Sequence, residues 1–155
     1  MSSNAIACSF APGFILFSVD PNNFESKMEN DKIALLPMPE VQIDNITRGS
    51  AAPGASCDDA GILELTISWP EDSTYKLNDI GFYFQISSGS DPNYIFPLEP
   101  IVGTIKKNQS KFTFIWLDGD PKNQKQINLN LNIFAVNKGL QVGQPTVVKI
   151  KANKG

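Results

Sequence analysis

The side chains that could do chemistry in this sequence are carboxylates, amides, aromatic rings and two cysteines, because it contains no histidine. That absence removes Ser-His-Asp and Cys-His nucleophile systems and any His-ligated zinc or haem. Catalysis by carboxylates or lysine stays open, but no pattern supports it. The reading is therefore of a protein with no catalytic residues, no metal ligands and no cofactor. Asp118-Gly119-Asp120 could offer two carboxylates to Ca²⁺, which takes roughly six to eight oxygens; it reads first as a turn. Asp58-Asp59 reads first as a solvated loop. No segment carries a full Ca²⁺-loop pattern or a glycine-rich phosphate cradle. Asn45-Ile46-Thr47 and Asn108-Gln109-Ser110 have the form of glycosylation acceptors, which matters only in a eukaryotic secretory setting.

Cys8 and Cys57 are the chain's two cysteines. An even pair fits one disulfide, and a disulfide implies an oxidising, extracytoplasmic compartment: periplasm, cell surface or medium. Closing a loop of roughly 50 residues contributes about 4 kcal/mol in the chain-entropy model. The alternative is two reduced thiols in a cytosolic protein. Met1-Ser2-Ser3-Asn4-Ala5 looks like an expression remnant, which would start the native chain near Ile6 and leave a removed export signal in view. A lipoprotein reading of Ala5-Ile6-Ala7-Cys8 competes, but lacks the hydrophobic stretch that should precede it.

Composition narrows the partners. The 155 residues carry a net charge of −3. Residues 1–105 hold 4 basic and 14 acidic groups, and residues 106–155 hold 9 and 2. Interleaved strands would mix these into one solvated surface; the alternative is an anion-attracting face near the C-terminal strands. One arginine in an acidic chain, without basic-aromatic interleaving, argues against nucleic acid. The longest apolar run, Phe10 to Val19, is about half a membrane span and contains Pro12 and Gly13.

The elements that must position these groups are strands. From Gly61 onward the hydrophobic period is two, with no sustained helical period. Leu63, Leu65, Ile67 and Trp69 point inward along Gly61 to Pro70, and Pro70 ends that strand. Ile80, Phe82, Phe84 and Ile86 do the same along Asp79 to Ser87. Tyr94 to Val102, broken by Pro97 and Pro100, reads as an edge strand or strap. Lys111 to Leu117 is a strand in which alternation turns Trp116 inward. Leu129, Leu131, Ile133 and Ala135 point inward along Ile127 to Val136, and Val148 and Ile150 along Thr146 to Ala152. Earlier in the chain, Pro39 to Ile46 reads as a strand, Phe14 to Val19 as an extra strand and Ser26 to Leu36 as a short helix.

Alternation fixes the outward residues as well. If the strands at 79–87, 127–136 and 146–152 share a sheet, its outer face carries Tyr83, Gln85, Asn128, Asn130, Asn132, Phe134, Lys149 and Lys151. Rings stack and amides both donate and accept, so Tyr83, Gln85, Asn130, Asn132 and Phe134 form a candidate patch for a sugar or peptide. The competing reading is an ordinary soluble face with two scattered rings.

Three stretches resemble the fibronectin type III family, within the wider immunoglobulin-like group. Leu65-Thr66-Ile67-Ser68-Trp69 is similar to its second strand, and Gly81-Phe82-Tyr83-Phe84-Gln85-Ile86 to its third. Leu129 to Asn137, followed by Gly139 and Pro145, is similar to its sixth strand and the turn into the seventh. The resemblance covers residues 39–152. It departs at Leu129, where the family has a tyrosine, and in a longer connection between Leu117 and Leu129. It implies an all-β, two-sheet antiparallel β-sandwich over residues 39–155, preceded by an N-terminal arm, residues 1–38. The functional expectation is a non-catalytic, exported interaction or adhesion module with a protein or glycan partner. The alternatives are a structural subunit of a larger extracellular or viral assembly and, more remotely, a carboxylate-based enzyme.

Overall fold

The structure is a computed structural model that describes residues 11–20, 36–50 and 57–155. Cys8, the side chain of Cys57 and nearly all of the expected helix at 26–36 lie outside the described residues. The described chain is all-β. Its strands are β1 (Phe14–Leu16), β2 (Glu40–Thr47), β3 (Ala60–Ser68), β4 (Ile80–Gly89), β5 (Ile101–Lys106), β6 (Gln109–Leu117), β7 (Ile127–Asn137) and β8 (Thr146–Ala152). Three-residue 3-10 turns stand at Cys57–Asp59, Leu77–Asp79 and Pro121–Asn123.

Hydrogen bonding runs in the order β2-β3-β6-β5-β4-β7-β8, with β1 off this path on β5. Every ladder is antiparallel. The sheet curls until its two ends meet, giving a nearly closed, barrel-like form. There β2 and β8 run in the same direction. Thr146 Oγ1 donates to the Pro39 carbonyl at one end, and Arg48 Nη1 donates to the Ala152 carbonyl (3.3 Å) at the other.

β5 is the corner. Thr104–Lys106 pair with Gln109–Lys111 of β6, while Ile101 pairs with Phe82 of β4. The β5–β6 hairpin then splays, and β1 fills the gap. Phe14–Leu16 pair with Ile101–Gly103, and the Gly13 N–H donates to the Thr113 carbonyl (3.1 Å). A strap expected at the edge is therefore interior once it becomes a strand. Pro97 and Pro100, which lack the N–H a ladder needs, precede β5 and stay outside it.

The alternating positions form the core. Leu63, Leu65, Ile67, Ile80, Phe82, Phe112, Phe114, Leu131, Ile133 and Ala135 are at most 1% exposed. Trp69 and Trp116 are buried with them. Rings from β4 and β6 interlock across the interior. Phe82 meets Phe112 edge-on at 5.9 Å, and Phe84 meets Phe112 and Phe114 at 5.1 Å each. Each such pair adds about 0.5–1.5 kcal/mol beyond the area it buries. Trp69 closes the cluster with an edge contact on Phe82 at 5.8 Å.

Ile86 departs from the expected inward row and is 37% exposed. The register shifts between Ile86 and Ser88, so β4 carries a bulge there. An extra residue reorients the strand and breaks strict alternation.

Candidate functional site

The five residues singled out on the outer face lie together. In the β4–β7 ladder Tyr83 pairs with Phe134, Gln85 with Asn132 and Ser88 with Asn130. β8 extends the face, with Val147 opposite Asn132, Lys149 opposite Asn130 and Lys151 opposite Asn128. The Tyr83 and Phe134 rings stack, with centroids 5.0 Å apart and planes inclined by 26°. Cross-strand aromatic contacts of this kind are a normal unit of sheet stability. Here both rings are also half-buried rather than covered, so part of the stack faces out.

The amides differ in how much of their bonding is already used. Asn130 Nδ2 donates to Ser88 Oγ (2.8 Å), while the backbone carbonyl of Asn130 accepts from Ser87 Oγ (3.2 Å). Asn132 Oδ1 is buried without a hydrogen-bond partner, while Gln85 is exposed. The exposed Gln85 amide can both accept from and donate to a polar partner lying against the rings, whereas the buried Asn132 oxygen is out of a partner's reach. Val147, 63% exposed, adds an apolar spot at the β8 side.

The arm bounds this patch at one end. The Phe17 N–H donates to the Pro100 carbonyl and the Asp20 N–H to the Lys138 carbonyl, both at 2.9 Å. The Phe17 ring, at the first of those anchors, crosses the outer face of β4 at Gly81. A Cβ on Gly81 would stand 2.4 Å from Phe17 Cγ, so only glycine admits the ring. Val136, opposite Gly81, is fully buried although its position in β7 points outward.

The acidic segments have structural partners. Asp118 is gripped by Arg48 through two 2.8 Å bonds, from Nε to Oδ2 and from Nη2 to Oδ1, and also accepts from the Gly49 N–H at 2.7 Å. Burial alone would raise its pKa. The Arg48 and Gly49 donors, the nearby Trp116 indole and the Arg48 charge outweigh it and hold the carboxyl below its ordinary value of 3.8. Asp120 caps the 121–123 turn by accepting from the Lys122 N–H at 3.0 Å. Asp59, expected in a solvated loop, is buried, and its carbonyl accepts from the Asp118 and Gly119 N–H groups at 2.9 Å each. Among the described residues no three Cys, Asp or Glu side chains converge as a metal site would need.

Sequence reasoning missed two features. One is the Arg48–Asp118 pair, whose partners lie 70 positions apart; the single arginine was the available signal. The other is a pair of adjoining clefts beside Trp69, walled by the loop after β3 and the β5–β6 turn. Lys107 in that turn has φ 55°, a backbone region that non-glycine residues rarely occupy. No helix among the described residues is long and apolar enough to cross a membrane. No family model, curated protein or solved structure matches this chain.

Proposed function

We propose that this chain is an exported, non-catalytic interaction module. In this reading it is a fibronectin type III-like two-sheet sandwich whose outer β4–β7–β8 face binds a protein or glycan. The strand order supports the fold part. With β5 as the corner, β2-β3-β6-β5 and β4-β7-β8 follow the order of an immunoglobulin-like sandwich of four and three strands. The observation that carries the functional part is the half-exposed Tyr83–Phe134 stack flanked by Gln85, Asn130 and Asn132. Flat rings beside the exposed Gln85 amide suit a polar, planar partner seated on the β4–β7 part of the face, short of Lys149 and Lys151 on β8.

Export rests on pairing Cys8 with Cys57. Peptide mapping without reductant is expected to find the two joined; two free thiols after oxidative refolding would remove the case for export. For the binding face, glycan-array and pull-down screening compares the wild type with Tyr83→Ala plus Phe134→Ala. A partner lost by the double variant supports the face. A partner held equally by both rules the face out.

A second reading, a structural subunit, draws on the edge of β2 that faces β8, along which Glu40–Thr47 form no ladder among the described residues. Concentration-dependent association in sedimentation would favour it.

A further inference from the structure

Trp69 ends the cleanest strand and organises one end of the barrel. Its backbone N–H donates to the Asn108 carbonyl (2.8 Å), pinning the β5–β6 turn. Its indole N–H donates to the Tyr75 carbonyl (2.9 Å), pinning the β3–β4 loop. Between the two pinned segments lie adjoining clefts of about 290 and 480 Å³. They share Trp69, Glu71, Lys107 and Asn108 as a common wall. Space on this scale holds a small ligand.

The lining has a sign. Lys76, Lys106 and Lys107 face it against the single carboxylate of Glu71. None of these three lysines makes an ion pair among the described residues, whereas Lys111 and Lys138 pair with Glu64 and Asp79. A local excess of positive charge in a chain of net charge −3 is not the general field of the molecule. The rest of the polar wall comes from hydroxyls and amides, with Ser73, Asn78, Asn108 and Gln109 among them. Ammonium groups take a carboxylate; amides and hydroxyls take neutral hydroxyl groups. The ligand class that carries both is a polyhydroxylated carboxylate.

We propose that this cleft binds a sugar acid, its carboxylate held by Lys76 and Lys107 and its ring hydroxyls by the surrounding amides. The site lies at the end of the barrel, apart from the Tyr83–Phe134 face, so each stands or falls alone.

The test is an amide-proton NMR titration of the full chain with glucuronate, with glucose, and with a short oligogalacturonate. Glucuronate is expected to shift the Trp69 indole and Asn108 side-chain signals saturably, with a dissociation constant on the order of 1 mM. Glucose should leave them unmoved. Lys76→Gln and Lys107→Asn, the latter chosen because Asn tolerates the left-handed backbone, should each weaken binding about fivefold. Tighter binding of the oligomer marks a polymer as the source; equal binding marks the free sugar. Absence of saturable shifts at Trp69 and Asn108, an equal response to glucose, or unchanged affinity in both variants overturns the proposal. Shifts confined to Tyr83 and Phe134 would also overturn it, while leaving the sheet-face reading in place.

Discussion

Arg48 is the only arginine in the chain, and it joins four segments. It holds the Asp118 carboxylate on both oxygens and donates to the carbonyls of Lys125, Ala152 and Asn153. The two side chains are 4% and 1% exposed. Removing one partner of such a pair leaves an uncompensated buried charge, so Arg48→Ala is expected to cost about 3–5 kcal/mol in urea melts. The paired replacement Arg48→Met with Asp118→Leu should cost less than either single change, because it buries no lone charge. The folded pKa of Asp118 is depressed, so its contribution is full above the ordinary carboxyl value of 3.8 and is lost as pH falls through the lower folded value. The stability gap between wild type and Asp118→Asn should therefore be widest near neutral pH and narrow below about pH 4. A gap that stays constant down to pH 2 would show that Asp118 is not the titrating group. Trp69 is the second anchoring residue: 4% exposed, in edge contact with Phe82, and donor to both loops of the cleft. Trp69→Ala should cost about 3–5 kcal/mol, and a loss under 1 kcal/mol would mean the ring is not a core anchor.

Alternation located the strands, and side-chain approach then set their details. Thr146 to Ala152 has the same bounds in the sequence reading and in β8. The inward rows of β3 and β7 are also as alternation placed them. This follows because strict alternation is a local pattern, and one buried face writes it directly into the sequence. The bulge at Ile86, the double pairing of β5 and the insertion of β1 were not legible. Each depends on which strand arrives alongside, and no local period records that. The outer-face residues were legible for the same reason as the core: placing Leu131 and Ile133 inside leaves Asn130, Asn132 and Phe134 outside. The cleft was not, because its walls come from two loops far apart in sequence, each pinned by Trp69. Gly61 shows how closely the strands meet. A Cβ there would fall 2.1 Å from Trp116 Cε2, inside a buried ring on the paired strand. Gly61→Ala should therefore destabilise by about 1–3 kcal/mol through overpacking, despite alanine's smaller loss of backbone entropy. A thermal midpoint equal to wild type would show that β3 and β6 can part without cost.

At the scale of the molecule, the curl of the sheet brings together groups far apart in sequence. The acidic and basic stretches mix through the cross-strand pair Lys111 with Glu64 and, just beyond the ends of β7 and β4, Lys138 with Asp79, at 3.4 Å each. The curl also leaves one weak line. Among the described residues, β3, β6, β4 and β7 each have a ladder on both sides for part of their length, whereas β2 and β8 have one only. Where β2 and β8 meet, side chains at the two ends do the joining: Thr146 on Pro39, and Arg48 on Ala152 and Asn153. Parallel neighbours without a backbone ladder can part while the interlocked Phe82, Phe84, Phe112 and Phe114 rings stay packed. Such local opening takes less free energy than global unfolding. Native-state hydrogen exchange should then divide the ladder amides into two sets. Those of β7 that bond β4 should exchange only by global unfolding, following denaturant with the full unfolding slope. Those of β8 that bond β7, and of β2 that bond β3, should exchange sooner and with a shallower slope. Thr146→Val, which removes the hydroxyl at the Pro39 end and keeps the branched shape, should speed exchange in β8 and leave the β4–β7 set unchanged. Equal protection of β8 and β7 in the wild type would mean that the barrel closes as one cooperative unit and that the seam is no weaker than its ladders.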